Sequence, residues 1–229
     1  MAAPSSVSIA TNVEAIRARI TAACARVARD PASVTLVAAS KTHQAGAIVA
    51  AWHAGVCDFG ENYVQEALTK LAAVRAVAGE GPRFHFIGHL QRNKARSAVG
   101  AFAILHSVDS ERLLDAIHAS AAGRPVYVMF EVNVAGESAK GGVVPAALPG
   151  LVAHARSLGT VTATGLMTVP PASSDPEASR PVFRELRRLA EAHGLTSLSM
   201  GMTGDFEVAI EEGATHVRVG RAIFGDRTS

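Results

Sequence analysis

Short apolar runs rich in β-branched residues alternate along the chain with segments of helical periodicity. The apolar runs occupy 34–40, 56–59, 84–87, 103–107, 126–133, 161–167, 197–200 and 216–219. The segments between these runs show apolar residues at helical spacing, or residues that typically begin a helix. The pattern predicts eight strands separated by helices. It also predicts an earlier amphipathic helix at about 11–28, with Thr11 or Asn12 as its cap.

This order of elements predicts an α/β fold with parallel strand pairing, because each helix returns the chain to the same end of the sheet. Eight strands favour a closed (β/α)8 barrel of the TIM type. An open doubly wound sheet is the alternative, but the segment after the first strand, SKTHQAG, lacks the glycine-rich turn typical of that fold. We expect one domain over 1–229, with the N-terminal helix within 1–30 packed on the barrel.

Composition narrows the class of protein. The 229 residues are 48% hydrophobic and carry a formal net charge of +2, without a basic stripe that interleaves with aromatics, so no nucleic-acid partner is expected. No apolar run has the length of a membrane span, and the N-terminus lacks a signal-peptide pattern. Cys24 and Cys57 lack metal-ligand spacing, and we interpret them as buried thiols. We therefore expect a cytoplasmic protein that contacts no membrane.

A lysine and an arginine end two strands that would be neighbours in a barrel. Period-two alternation places Val37, Ala39 and Lys41 on one face of the first strand, and Arg218 on the corresponding face of the eighth. Barrel closure makes these strands adjacent, so Lys41 and Arg218 are predicted to lie close together. A neighbouring cation and burial lower a lysine pKa, and the neutral amine is the form that attacks a carbonyl.

A phosphate cradle is predicted at the seventh and eighth strands, where barrels of this type commonly bind phosphate. In SMGMTGD, Ser199 and Thr203 supply hydroxyls and Gly201 permits close backbone approach. Gly220 adds to the cradle from the next loop. A lysine that forms an imine and a phosphate site together predict a ligand with an aldehyde and a phosphate, a description that pyridoxal 5'-phosphate fits.

Six ordered blocks between Leu36 and Gly225 resemble the pyridoxal phosphate homeostasis proteins, which are single-domain relatives of the N-terminal barrel of alanine racemase. The blocks are SKTH, FGENYVQEA, FHFIGHLQRNK, EVNVAGESAKGG, GLMTV and LSMGMTGDFEVAIEEGATHVRVGRAIFG. Three positions depart from the family pattern: Gln44, Phe84 and Ala139. The last departure leaves the role of Lys140 open.

The resemblance implies a role for each matching residue. Lys41 forms the Schiff base with pyridoxal phosphate, Asn62 lies near the cofactor hydroxyl, and Arg218 faces the pyridine nitrogen. The implied phosphate ligands are Ser199, Thr203 and Gly220, with Gly201 in the same loop. Met167, Met200 and His85 are implied to be second-layer or wall residues of the site.

Simpler interpretations stay open for several of these residues. Lys41 read alone is a strand-end lysine whose ammonium reaches water. Arg218 could pair with Glu61, and Asn62 could cap the helix after the second strand. His85 and His89 could serve as packing or hydrogen-bonding groups, and neither belongs to a convincing metal-ligand set.

Two functions from different classes compete. An amino-acid racemase needs a second base, which in the related racemases is a tyrosine from an additional β domain. We expect no such domain here, and neither Tyr63 nor Tyr127 is placed on the opposite cofactor face. A binding protein that buffers or delivers pyridoxal phosphate is favoured, with no catalytic residues expected beyond a weak side activity. A Schiff-base aldolase is a third alternative.

We expect a monomer whose partners include pyridoxal-phosphate-dependent apo-enzymes.

Overall fold

The computed structural model describes residues 6–225, in which eight parallel strands pair in chain order and close into a barrel. The first strand also pairs with the eighth. The predicted fold class is therefore confirmed. The strands are Thr35–Ala39 (β1), Asp58–Glu61 (β2), Arg83–Phe86 (β3), Ile104–Val108 (β4), Val126–Glu131 (β5), Val161–Met167 (β6), Ser197–Met202 (β7) and His216–Val219 (β8).

Helices surround the barrel within the described range. They are Ser6–Arg26 (α1), Ala45–His53 (α2), Val64–Ala78 (α3), Ala95–Ala98 (α4), Glu111–Ser120 (α5), Leu148–Ser157 (α6), Arg180–Ala192 (α7), Phe206–Glu211 (α8) and Arg221–Phe224 (α9). Short 3-10 turns occupy Pro31–Ser33, Arg92–Lys94, Pro145–Ala147 and Pro176–Ser179. Helix α1 packs against α2, α8 and α9, at the seam where the barrel closes.

The predicted start of α1 is wrong, because the helix already includes Ser6. Its apolar stripe begins before Thr11: Ile9 and Val13, one turn apart, are both buried. Asn12 has a different task from capping. Its side-chain amide donates to the carbonyl of Ile223 at 2.9 Å and so ties α1 to α9.

The two faces of the barrel strands differ in character. One face packs apolar side chains such as Phe59, Phe84 and Phe130 into the core shared with the helices. Strand alternation points the other face into the barrel, where several polar side chains are buried, among them Asp58, His85, His106, Ser199 and Arg218. The outward face of the barrel strands is therefore apolar, and the barrel interior is partly polar.

One cysteine departs from the prediction. Cys24 is buried in α1, as expected, whereas Cys57 is exposed. Strand β2 begins one residue after Cys57, so the thiol lies in the approach to the strand and not in its packed part. Over residues 6–225, no helix has the length and apolar character needed to cross a membrane.

Candidate functional site

A cavity of about 1070 Å³ opens at the carboxyl ends of the barrel strands. Five of the residues singled out in the sequence line it: Lys41, Asn62, Thr203, Arg218 and Gly220. The loop over 169–176, after β6, forms part of the same wall. The predicted convergence of the first, seventh and eighth strands on one site is thus seen in the geometry.

The backbone around Lys41 is held on both sides. Ser40 is fully buried, and its hydroxyl donates to Glu61 Oε1 at 2.7 Å. Thr42 has a φ of 66°, in the left-handed region that β-branched residues rarely adopt. Its amide donates to Glu66 Oε1 at 2.7 Å. The strand end therefore presents Lys41 from a fixed and strained backbone.

Lys70 of α3 links the carboxylates that hold this backbone. Its ammonium lies 2.7 Å from Glu61 Oε1 and 2.8 Å from Glu66 Oε1, and it donates to the carbonyl of Ser40 at 2.9 Å. Burial raises the pKa of Glu61, although bonds from Lys70 and Ser40 oppose that effect. Glu66 is less buried, and the bonds from Lys70 and Thr42 lower its pKa. We call Lys70, Glu61 and Glu66 the lysine clamp.

Arg218 approaches the cavity from inside the barrel. It is only 5% exposed, and its guanidinium donates to Ser199 Oγ at 2.7 Å and to the carbonyl of Thr168 at 2.9 Å. Burial lowers the pKa of Arg218 to about 10, while the negative charges of Glu131 and Asp205 oppose the shift. The side chain therefore stays protonated near neutral pH.

A chain of hydrogen bonds continues from Arg218 through the barrel interior. Ser199 Oγ lies 2.9 Å from His106 Nδ1, and His106 Nε2 lies 2.8 Å from His85 Nδ1. His85 Nε2 in turn lies 2.9 Å from Asp58 Oδ1. Within the described residues these side chains form no metal-binding cluster. We call Asp58, His85, His106 and Ser199 the interior chain.

Asn62 supplies a polar atom for which the described protein offers no partner. Its Oδ1 is buried and accepts no hydrogen bond there. A side chain at Gly88 would collide with the Asn62 backbone, so this glycine lets the β3–α4 loop pack against Asn62. Because buried acceptors are nearly always bonded, Asn62 Oδ1 marks a place where a ligand donor fits.

One glycine near the end of β7 and one aspartate beyond it shape this part of the cavity wall. Gly201 has a φ of 88°, and a Cβ there would lie 2.5 Å from the Ala209 Cβ. Asp205 accepts from the Met202 amide at 2.7 Å and from the Ser179 hydroxyl at 2.9 Å. These contacts fold the loop so that Thr203 lines the cavity.

Other predicted residues do not line this cavity. Ser199, Met167 and His85 are buried in or near the barrel interior, and Met200 packs in the apolar core. Gly201 is buried within β7 and not in the loop after it, because the strand extends to Met202. Their roles toward a cofactor stay predictions. For His85 and Ser199, the structure shows hydrogen-bonding partners beneath the site.

Two of the simpler interpretations are wrong. Glu61 pairs with Lys70, so it is not the partner of Arg218. Asn62 does not cap the helix, because Tyr63 occupies the cap position of α3.

The cavity also contains residues that the sequence did not single out for the site. Lys140 pairs with Glu137 and donates to the carbonyls of Val169 and Pro170, at 3.3 and 2.9 Å. These bonds tether the 169–176 loop to the segment after β5. In the sequence, only the spacing of Glu137 and Lys140 indicated a contact, because the loop carbonyls lie about 30 positions from Lys140.

Comparison with known proteins defines the class. A family model described as the N-terminal domain of alanine racemase matches residues 11–228. The solved alanine racemase of Corynebacterium glutamicum shares the fold, with a TM-score of 0.74 at 18% identity. This chain covers 62% of that racemase, and the racemase match covers 98% of this chain. The chain belongs to the family of the alanine racemase N-terminal domain.

Relatives of similar length are named for pyridoxal phosphate. The pyridoxal phosphate homeostasis protein of Aquifex aeolicus is 43% identical over 217 residues, which cover 91% of this chain and 94% of that protein. The protein of the same name from Pseudomonas aeruginosa is 42% identical, with 96% of each chain covered. PipY of Synechococcus elongatus, solved with pyridoxal phosphate bound, has a TM-score of 0.80 at 35% identity and covers 95% of this chain. The resemblance drawn from the sequence blocks is confirmed.

Proposed function

We propose that the protein holds pyridoxal 5'-phosphate on Lys41 and serves its homeostasis by buffering or delivering it, without substantial catalytic turnover. The observation that carries this proposal is the convergence of Lys41, Arg218 and the unpartnered Asn62 Oδ1 on one cavity. When bound, pyridoxal phosphate would supply an aldehyde with which the Lys41 amine could condense, with loss of one water. Homologues named for this cofactor, and a relative solved with it, support the assignment.

The residues present fit the parts of the cofactor. Lys41 offers the amine, and Asn62 Oδ1 offers an acceptor for a ring hydroxyl. Arg218 uses two of its nitrogens on Ser199 and Thr168 and keeps further N–H donors for a ring nitrogen. Thr203 and the backbone beside Gly220 offer donors to a phosphate.

The site favours a carrier over a racemase because neither tyrosine is placed as a second base. Tyr63 and Tyr127, the only tyrosines of the chain, are 57% and 47% exposed, and neither lines the cavity. Arg218, as a permanent donor, leaves the ring nitrogen without a proton and so weakens the cofactor as an electron sink. Racemases tolerate this, so it counts against other carbanion chemistry and not against a racemase. Cytoplasmic location, a monomeric state and delivery to apo-enzymes stay predictions.

The binding proposal is tested by loading purified protein with pyridoxal phosphate and removing the excess by gel filtration. We expect a yellow protein whose colour is lost in Lys41→Ala and kept in the control Lys94→Ala, which changes a lysine outside the cavity lining. Equal colour in Lys41→Ala and wild type would contradict the proposal.

The carrier proposal needs a separate assay. The loaded protein is incubated with L-alanine, and D-alanine is measured by chiral chromatography. We expect conversion far below the median enzyme turnover of about 10 per second. Turnover near that value would establish a racemase.

A further inference from the structure

The interior chain connects Arg218, at the mouth of the barrel, with Asp58, whose strand β2 begins at the opposite end. All of its members are buried: Ser199 and His106 are 0% exposed, His85 is 2% and Asp58 is 5%. They come from β2, β3, β4 and β7, and Arg218 comes from β8. Burying so many polar side chains costs free energy unless each of them is hydrogen-bonded.

Donor and acceptor chemistry fixes the direction of the chain when both histidines are neutral. Asp58 accepts two bonds from Arg83, at 2.8 and 2.7 Å, and its pKa falls to about 2, where bonds from His85 and Arg83 outweigh the opposing effect of burial. The carboxylate can only accept, so His85 carries its proton on Nε2. His85 Nδ1 is then bare and must accept from Nε2 of His106.

The same rule extends to the mouth of the barrel. His106 Nδ1 is bare and accepts from the Ser199 hydroxyl, which leaves the Ser199 oxygen free to accept from Arg218. Every N–H or O–H therefore points from Arg218 toward Asp58. Arg83 already pairs with Asp58, so the carboxylate needs from His85 only the single N–H that a neutral ring supplies.

We propose that Asp58, His85 and His106 are positioning residues that act through Ser199 to hold Arg218 in its orientation at the cavity. The Asp58 carboxylate sets the tautomer of His85, and His85 sets the tautomer of His106. Because His106 Nδ1 then accepts from the Ser199 hydroxyl, that hydroxyl points away from the cavity. Ser199 is thereby kept as an acceptor for Arg218. The Ser199 hydroxyl, predicted from the sequence to bind phosphate, is occupied by His106 in this arrangement.

The first test needs no cofactor. Side-chain ¹⁵N chemical shifts of apo wild-type protein at neutral pH report which ring nitrogens are protonated. We expect His85 and His106 each to show a protonated Nε2 and a bare Nδ1. A protonated Nδ1 on either ring, or a doubly protonated His85, would overturn the proposal.

A pair of variants tests the long-range effect. Asp58→Ala removes the acceptor, so His85 and His106 should sample both tautomers, and the Arg218 side-chain N–H should exchange faster with water. Arg83→Gln is the matched control, since it removes the same ion pair but keeps the Asp58 carboxylate for His85. Unchanged His106 and Arg218 signals in Asp58→Ala, or the same disturbance in both variants, would contradict the positioning role.

Cofactor binding gives a readout that rests on the proposed function. We expect Asp58→Ala to weaken pyridoxal phosphate binding roughly tenfold, as for a hydrogen bond to a charged group, and Arg83→Gln to bind as wild type. Equal affinity in the two variants would contradict the effect on Arg218. If wild-type protein binds no pyridoxal phosphate, the proposed function fails, while the ¹⁵N shifts of the apo protein still decide the direction of the chain.

Discussion

Lys41 and Arg218 line the same cavity, but the protein supports them in opposite ways. The lysine clamp lies outside the barrel wall, between β2 and α3, and holds the Lys41 backbone with charged groups. The interior chain lies inside the barrel and holds the Arg218 side chain with uncharged groups as far as Asp58. The clamp bonds the backbone on both sides of Lys41, whereas the interior chain bonds the Arg218 side chain itself.

This difference matches the two tasks that the proposed function assigns. A lysine that takes up an aldehyde needs its strand end held at the cavity, and an arginine that orients a ring needs a fixed fork of donors. The comparison also predicts different responses to mutation, because a buried charge that loses its partner costs more than a neutral group that loses one.

Breaking the clamp should have the largest effect on stability. Lys70→Met leaves the fully buried Glu61 without its cation, and we expect a loss of about 3–5 kcal/mol in the free energy of unfolding. Urea denaturation measures it, with Lys94→Met as the control. Adding Glu61→Leu to Lys70→Met should recover most of the loss. A double variant as unstable as the single one would contradict the account of the clamp.

Cutting the interior chain should cost less. Ser199→Ala leaves Arg218 and His106 each without one partner, and we expect a loss of about 2 kcal/mol. The exposed Ser157, changed to Ala, serves as the control and should alter stability by no more than about 0.5 kcal/mol. Equal stability of the two variants would show that the bonds of Ser199 contribute nothing.

Acid should weaken the barrel interior in a defined direction. Burial lowers the pKa of His216 to about 4 and lowers that of His106 well below its usual value. The unfolded chain therefore binds more protons than the folded one between pH 6.5 and 4, and stability falls as pH falls through this window. His216 alone should remove about 2 kcal/mol between pH 7.5 and 5. Urea denaturation should show a shallower decline for His216→Gln, and an unchanged decline would contradict the assignment.

Relaxing the strained residue beside Lys41 should have the smallest effect on stability. Thr42→Gly relieves a left-handed backbone but adds freedom to the unfolded chain, and we expect a gain of about 0.5 kcal/mol. Ala72→Gly in α3 should instead lose about 1 kcal/mol. We also expect weaker pyridoxal phosphate binding in Thr42→Gly, measured by equilibrium titration. A Thr42→Gly protein as destabilised as Ala72→Gly would mean that the Thr42 backbone is unstrained.

The sequence predicted the barrel and the position of Lys41, because both follow from local periodicity and chain order. It did not predict the clamp, since Lys70 reaches Ser40 and Glu61 only after α3 packs on the barrel. The interior chain left a weak signal. Asp58, His85 and His106 are polar residues on three strands, and polar residues are unusual in buried parallel strands. Nothing local indicates that His106 meets Ser199, which lies 93 positions away.

The most direct test of the central claim locates the cofactor on the chain. Protein loaded with pyridoxal phosphate is reduced with borohydride, which turns the carbon–nitrogen double bond into a stable amine, and is then digested and mapped by mass spectrometry. Lys41 and Lys140 both line the cavity, so the map distinguishes two amines in the same space. We predict the reduced cofactor on Lys41. Its appearance on Lys140 instead, or the absence of any modified peptide, would contradict the account.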